Sequence, residues 1–178
     1  MRLFVALSLP QELRARLGGL ASGLPGARWV DPDNLHLTLR FIGEVDGREA
    51  EDVDAALSGI QGKRFSLTLS GVGQFGDERR PRALWVGVEP NEALERLQAK
   101  IETALQRAGL APEKRKFKPH VTLARLKTHP GERLHDYIVQ RSLFRAAPFE
   151  VDAFTLYSSY LANSGAIYAA EAVYPLEG

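Results

Sequence analysis

Two short stretches carry side chains suited to proton transfer: His36-Leu37-Thr38-Leu39 and, far along the chain, His120-Val121-Thr122-Leu123. Histidine has an unperturbed pKa of about 6.5, close to working pH, so one imidazole can take a proton while a second gives one. Breaking a phosphodiester without a metal needs such a pair. A neutral imidazole activates water or a hydroxyl, and an imidazolium protonates the departing oxygen. The threonines two residues on, Thr38 and Thr122, can donate hydrogen bonds to non-bridging phosphate oxygens. Arg125 stands just behind the second motif and could add positive charge. Strict strand alternation puts Arg125 on the Val121 face, so its reach requires a twist or a bulge.

A single His-x-Thr-x would more often be a structural histidine on a strand. Two copies in equivalent frames favour catalysis instead. Phe4-Val5-Ala6-Leu7 leads to Pro10, a helix and the first motif; Trp85-Val86-Gly87-Val88 leads to Pro90, a helix and the second. A two-histidine metal site lacks a third ligand at a matching position in both halves, so no metal or other cofactor is expected. His129 and His135 lie in or beside a loop and are expected at the surface. The chain has no cysteine, which excludes thiol nucleophiles, thiolate metal sites and disulfides and fits a cytoplasmic protein.

The elements that must position these residues follow from periodicity. Arg2–Ser8 reads as a buried strand rather than a secretory leader. Leu13, Leu17, Leu20 and Leu24 form a helical stripe behind Pro10. Strands are expected at 35–42, 65–69, 83–88, 120–126, 149–158 and 166–174. Asp46 with Glu49 resembles a capping box, and Asn91 caps a helix with the stripe Leu94, Leu97, Ile101, Leu105. A short helix is expected near 134–140. In each motif strand, His and Thr face one way and the apolar residues face a core. The expected class is α+β: two pseudo-symmetric lobes of antiparallel sheet with outer helices around a central cleft, the whole of 1–178 forming a single bilobal domain.

At 178 residues, 44% hydrophobic and 25% charged, the chain can bury a core. No apolar run approaches the ~20 residues of a membrane span. Twenty-three basic residues nearly cancel 22 acidic ones, giving a formal charge of +1. Global electrostatics therefore will not hold a polyanion, but local patches can. Lys114, Arg115, Lys116 and Lys118 crowd the approach to His120, and Arg79, Arg80 and Arg82 form a second cluster. Either cluster alone reads more simply as solvated loop charge. Phe4, Phe41 and Trp85 are candidate base-stacking rings. Phe41 shares the face of Leu37 and Leu39, so core packing is its expected fate, and Phe4 with Trp85 would fill matching core positions.

The chain resembles the two-histidine phosphoesterases and, within them, the bacterial and archaeal RNA 2′,3′-cyclic phosphodiesterases, historically called 2′-5′ RNA ligases. The resemblance runs through Arg2–Ala6, Trp29-Val30, Asn34–Glu44, Pro81–Val88, Phe117–Arg125 and Gly165–Tyr168; Tyr160–Asn163 follows it only loosely. It implies opening of a 2′,3′-cyclic phosphate at an RNA end to a 2′-phosphate, without a metal, with reversible 2′-5′ joining as a related activity. It implies His36 as general acid and His120 as general base, with Thr38, Thr122 and Arg125 binding substrate. The alternatives are a phosphodiesterase acting on nucleotide cyclic phosphates or 2′-5′ oligonucleotides, and a non-catalytic RNA-binding module. RNA ends or nucleotide phosphates are the expected partners, with no membrane, no obligate protein partner and a monomeric state.

Overall fold

The structure, a computed structural model, describes residues 1–77 and 79–178. In chain order the elements are β1 (Arg2–Ser8), α1 (Gln11–Gly18), β2 (Ala27–Trp29), a 3-10 turn (Pro32–Asn34), β3 (His36–Glu44), α2 (Gly47–Ser58), β4 (Phe65–Leu67) and β5 (Leu69–Gly76). They continue as β6 (Pro81–Val88), α3 (Glu92–Arg107), β7 (His120–Leu126), α4 (Glu132–Gln140), β8 (Phe149–Val151), β9 (Ala153–Ala162) and β10 (Gly165–Pro175). The main sheet runs β10-β9-β1-β3-β7-β6-β5, with β2 paired to β7, and β4 pairs β8 separately. Its strand ladders are antiparallel.

The helices begin where their caps dictate. Asp46 accepts a 2.8 Å hydrogen bond from the Glu49 N–H while the Glu49 carboxylate accepts from the Asp46 N–H, closing a capping box on α2. Asn91 accepts from the Leu94 N–H at 3.0 Å, and α3 buries Leu94, Leu97, Ile101 and Leu105. α1 is shorter than its leucine stripe suggests. It ends at Gly18, ahead of Gly19, and Leu24 reaches the core from the following loop.

β3 and β7 lie side by side at the centre, bridged by the Leu37–Val121 pair. That pair marks a local two-fold: β1 flanks β3 on one side as β6 flanks β7 on the other. Leu37, Leu39, Val121 and Leu123 enter one hydrophobic core with residues of all four helices. The opposite face of the two strands carries His36, Thr38, His120 and Thr122.

Each motif strand also bulges at the same place. Val5 pairs Arg40 while Ala6 pairs Thr38, leaving Leu39 extra. Leu84 pairs Ala124 while Trp85 pairs Thr122, leaving Leu123 extra. An extra residue reverses the alternation beyond it. Leu39 and Arg40 are therefore both buried, as are Leu123 and Ala124, while Phe41 and Arg125 are exposed.

Arg40 is 7% exposed and serves as an internal staple. Its guanidinium meets Glu102 of α3 at 2.7 and 3.3 Å and donates to the carbonyls of Phe41 and Ala111, each at 2.6 Å. Burial alone would raise the Glu102 carboxyl. The Arg40 guanidinium, the Glu113 N–H and the Gln106 amide overcome that and hold it at about 2. This charge-assisted cluster ties the strand bearing His36 to α3 and to the loop that leads towards His120.

Candidate active site

Both histidines are anchored by the same device. His36 Nδ1 lies 2.6 Å from the Asn34 carbonyl, and His120 Nδ1 lies 2.7 Å from the Lys118 carbonyl. A carbonyl oxygen only accepts, so Nδ1 carries the proton in each ring and Nε2 is left with the chemically active lone pair. Asn34 is itself fixed, its amide donating to the Ala166 carbonyl of β10 at 3.0 Å. Chain entry into each strand thus sets the imidazole tautomer.

The two sites differ at Nε2. In His36 it lies 3.0 Å from Thr38 Oγ1, so the hydroxyl donates to the neutral ring. His120 Nε2 makes no hydrogen bond with the described residues. Burial lowers the His36 pKa most, the Asn34 carbonyl opposes this, and the nearby His120 lowers it further. Burial also lowers the His120 pKa, against the Lys118 carbonyl. That His36 senses the charge of His120 shows the two rings sharing one electrostatic environment.

Aromatic rings hold the histidines from the flanks. Phe4 is 4.9 Å from His36 between centroids, and Tyr168 meets His36 edge-on at 5.3 Å. Phe4 stacks on Tyr157 at 5.3 Å. Phe75 meets His120 edge-on at 4.6 Å and lies 5.6 Å from Trp85. The Trp85 indole lies across Gly73, where a Cβ would come within 2.4 Å of the ring, so a side chain there is excluded.

These positions correct two expectations and supply the bulge that the reach of Arg125 required. Phe41 is not in the core: it is 52% exposed, and its ring is 6.0 Å from Phe4 on the histidine face. Phe4 and Trp85 do not occupy matching places, since Phe4 pairs Phe41, five residues after His36, while Trp85 pairs Thr122, two residues after His120; both lie on the histidine face. Arg125 is not on the Val121 face, because the bulge at Leu123 turns it to the side of Thr122. For Phe41 and Arg125 the phase reversal has one cause, the extra residue three places after each histidine.

His129 and His135 are exposed, and His129 Nδ1 accepts from the Gly131 N–H at 2.9 Å. Lys114, Arg115, Lys116 and Lys118 are exposed in the loop before β7, and Arg79, Arg80 and Arg82 are exposed ahead of and at the start of β6. Among the described residues, no group of three or more His, Cys, Asp or Glu is placed to hold a metal ion. No helix among them is long and apolar enough to cross a membrane. Sequence reasoning missed Phe75, Tyr157, Tyr168 and Arg28 as residues of this face. Phe75 sits in the glycine-rich β5, and Arg28 on the three-residue β2, where no periodic pattern announces a strand.

A twofold pair of His-x-Thr-x strands at the centre of an antiparallel sheet, each ring presenting Nε2, defines a two-histidine phosphoesterase. A family model of the 2′-5′ RNA ligase superfamily matches residues 9–162, and the chain belongs to that superfamily. An RNA 2′,3′-cyclic phosphodiesterase of Thermotoga maritima is 33% identical over 174 residues, spanning 94% of this chain and 91% of the relative. One of Aeropyrum pernix is 38% identical over 152 residues, spanning 83% of this chain and 84% of the relative. Among solved structures, E. coli LigT complexed with 3′-AMP is 31% identical with a TM-score of 0.81, covering 98% of this chain and 97% of that one.

Proposed function

We propose that the protein hydrolyses 2′,3′-cyclic phosphates at RNA ends to 2′-phosphates by acid–base catalysis between His36 and His120, without a metal. The observation that carries this reading is the matched anchoring of both rings through Nδ1, which leaves each Nε2 as the lone-pair nitrogen on one face of adjoining strands, that of His36 accepting from Thr38 Oγ1. The names of the relatives and the LigT complexes with 3′-AMP and with phosphate support the substrate class. The absence of cysteine fits action in the cytoplasm.

His120, whose Nε2 has no hydrogen bond with the described residues, accepts a proton from water. The water oxygen bonds to phosphorus, the P–O3′ bond breaks, and His36 delivers its proton to the departing O3′. The products are a 2′-phosphomonoester and a free 3′-hydroxyl, and the proton count closes. Protonation of His36 has a second consequence. Nε2 then becomes a donor, so the Thr38 hydroxyl no longer donates to the ring and can turn its hydrogen towards a phosphate oxygen. Thr122 and Arg125 supply the same service from the second strand. In the reverse direction a ribose hydroxyl replaces water, the histidines exchange roles, and a 2′-5′ linkage forms.

The test is hydrolysis of a short RNA ending in a 2′,3′-cyclic phosphate, in excess EDTA, with identification of the phosphomonoester. A 2′-phosphate is expected. A 3′-phosphate would reverse the leaving group and the roles of the histidines. Turnover only of nucleotide cyclic phosphates or 2′-5′ oligonucleotides would replace the substrate, and no turnover with retained RNA binding would replace catalysis by a binding role.

A further inference from the structure

The two carbonyls that anchor the histidines are held in different ways. Lys118 precedes Pro119, and a residue before proline is confined to extended backbone, so the covalent chain itself directs the carbonyl that accepts from His120. Asn34 is followed by Leu35, which imposes no such restriction. Its place rests on the 3-10 turn, where its N–H donates to the Asp31 carbonyl at 2.8 Å, and on its own side chain, whose amide donates to the Ala166 carbonyl.

That side-chain bond closes a wide gap. The register of the sheet sets the turn of the β9–β10 hairpin beyond Arg2, at one end of β1, and His36 beside Ser8, at the other. Those ends lie about 20 Å apart along a strand. The ladder between β1 and β3 shifts register twice, and such irregularities bend the strand that carries them. β10 thereby comes back over the histidine face, where Tyr168 meets His36 edge-on and lies 5.1 Å from Phe4. The tip of the hairpin is not held there by burial: Tyr160, Leu161, Asn163, Ser164 and Gly165 are exposed. Among the described residues, no other hydrogen bond joins residues 160–167 to the chain outside the hairpin. A strand pair with so little buried at its end opens readily unless something latches it.

Resting on the proposed role of His36 as the acid, we infer that Asn34 is a positioning residue whose side-chain amide couples the β9–β10 hairpin to the orientation and tautomer of the His36 ring. Its amide holds the hairpin while its carbonyl holds Nδ1–H, so hairpin, turn and imidazole keep one arrangement. Without the amide the carbonyl is free to turn, and the proton of the neutral ring can settle on Nε2 instead. The charged ring needs the same carbonyl, which keeps Nε2–H aimed at the departing oxygen. Asn34 touches none of the reacting atoms.

The test records the imidazole nitrogens of both histidines by NMR in the free wild type, Asn34→Ala and Asn34→Gln. At about pH 8 both rings are neutral, since both pKa values lie below 6.5. The wild type should carry both protons on Nδ1. Asn34→Ala should give His36 a mixture of tautomers and leave His120 unchanged, and Asn34→Gln, which keeps an amide donor, should recover part of the difference. Amide hydrogen exchange at residues 160–167 should quicken in Asn34→Ala. With the cyclic phosphate, kcat should fall about tenfold in Asn34→Ala, the worth of one hydrogen bond, at unchanged KM. A His36 tautomer unmoved by Asn34→Ala, or a His120 that shifts along with it, would overturn the positioning role. Unchanged exchange at residues 160–167 would overturn the coupling to the hairpin. Both measurements are made without substrate, so a wild type that does not turn over the cyclic phosphate counts against the proposed activity and leaves this inference to be decided by them.

Discussion

Because both histidines have lowered pKa values, the enzyme should work best on the acidic side of neutrality. The productive form of the free protein holds one proton across the pair, with one ring charged and the other neutral. kcat/KM reports that free form, so its pH profile is a bell whose two limbs belong to the pair rather than to either ring. Burial lowers both groups from 6.5, and the second charge lowers His36 further. The upper limb therefore lies below 6.5, and so does the maximum. Two pH units above that limb, at pH 8.5, the protonated fraction is about 1% or less, with kcat/KM falling tenfold per pH unit.

The assay is kcat/KM for the cyclic phosphate across pH 4.5–9, joined to imidazole titration of the free protein by NMR. His120→Gln removes the charge that lowers His36, so the His36 titration should move up while staying below 6.5, because burial remains. A maximum above pH 7, or a His36 that titrates above 6.5 in the free protein, would refute the argument. The same shifts bear on stability. A buried histidine with a lowered pKa binds fewer protons folded than unfolded, so stability rises with pH through the window just below 6.5 and is lost on acidification through it.

His36→Ala and His120→Ala should each lose about 10²–10⁴ in kcat with unchanged circular dichroism, and the double variant should lose less than the product of the two, since the rings act as one unit. Near-normal turnover in either single variant would remove that histidine from the reaction. Arg40→Met strands the Glu102 carboxylate, most of which is buried, and should cost about 3 kcal/mol, or roughly 6–12 °C in melting temperature. Adding Glu102→Gln should recover part of the loss in a thermal melt. An Arg40→Met protein as stable as the wild type would show that the staple is dispensable.

The paired His-x-Thr-x motifs were legible because alternation holds from each histidine to the threonine two places on, and no bulge intervenes between the two. Caps made α2 and α3 equally legible, since Asp46, Glu49 and Asn91 state where a helix begins. Legibility ended at the last residue of each motif. Leu39 and Leu123 are ordinary strand residues, with no glycine or proline to mark an irregularity, so the bulges are written in the pairing of strands rather than in local chemistry. Phe41 was consequently assigned to the wrong face by the same rule that placed the histidines correctly, and Arg125 could be placed only on condition of a bulge that the rule does not foresee. One signal was available: each stands five residues after its histidine, so the repeat required that both lie on one face together. A charged Arg125 is hard to bury in a core without a partner, and that settles which face. Phe41 then follows by equivalence. The frame is twofold but its occupants are not, since it sets an aromatic ring beside His36 and a cation beside His120. The bulges also explain why β2 matters despite its three residues. Turning Arg125 outward makes its cross-strand neighbour Arg28 part of the same surface, and no reading confined to the neighbourhood of either residue could have joined them.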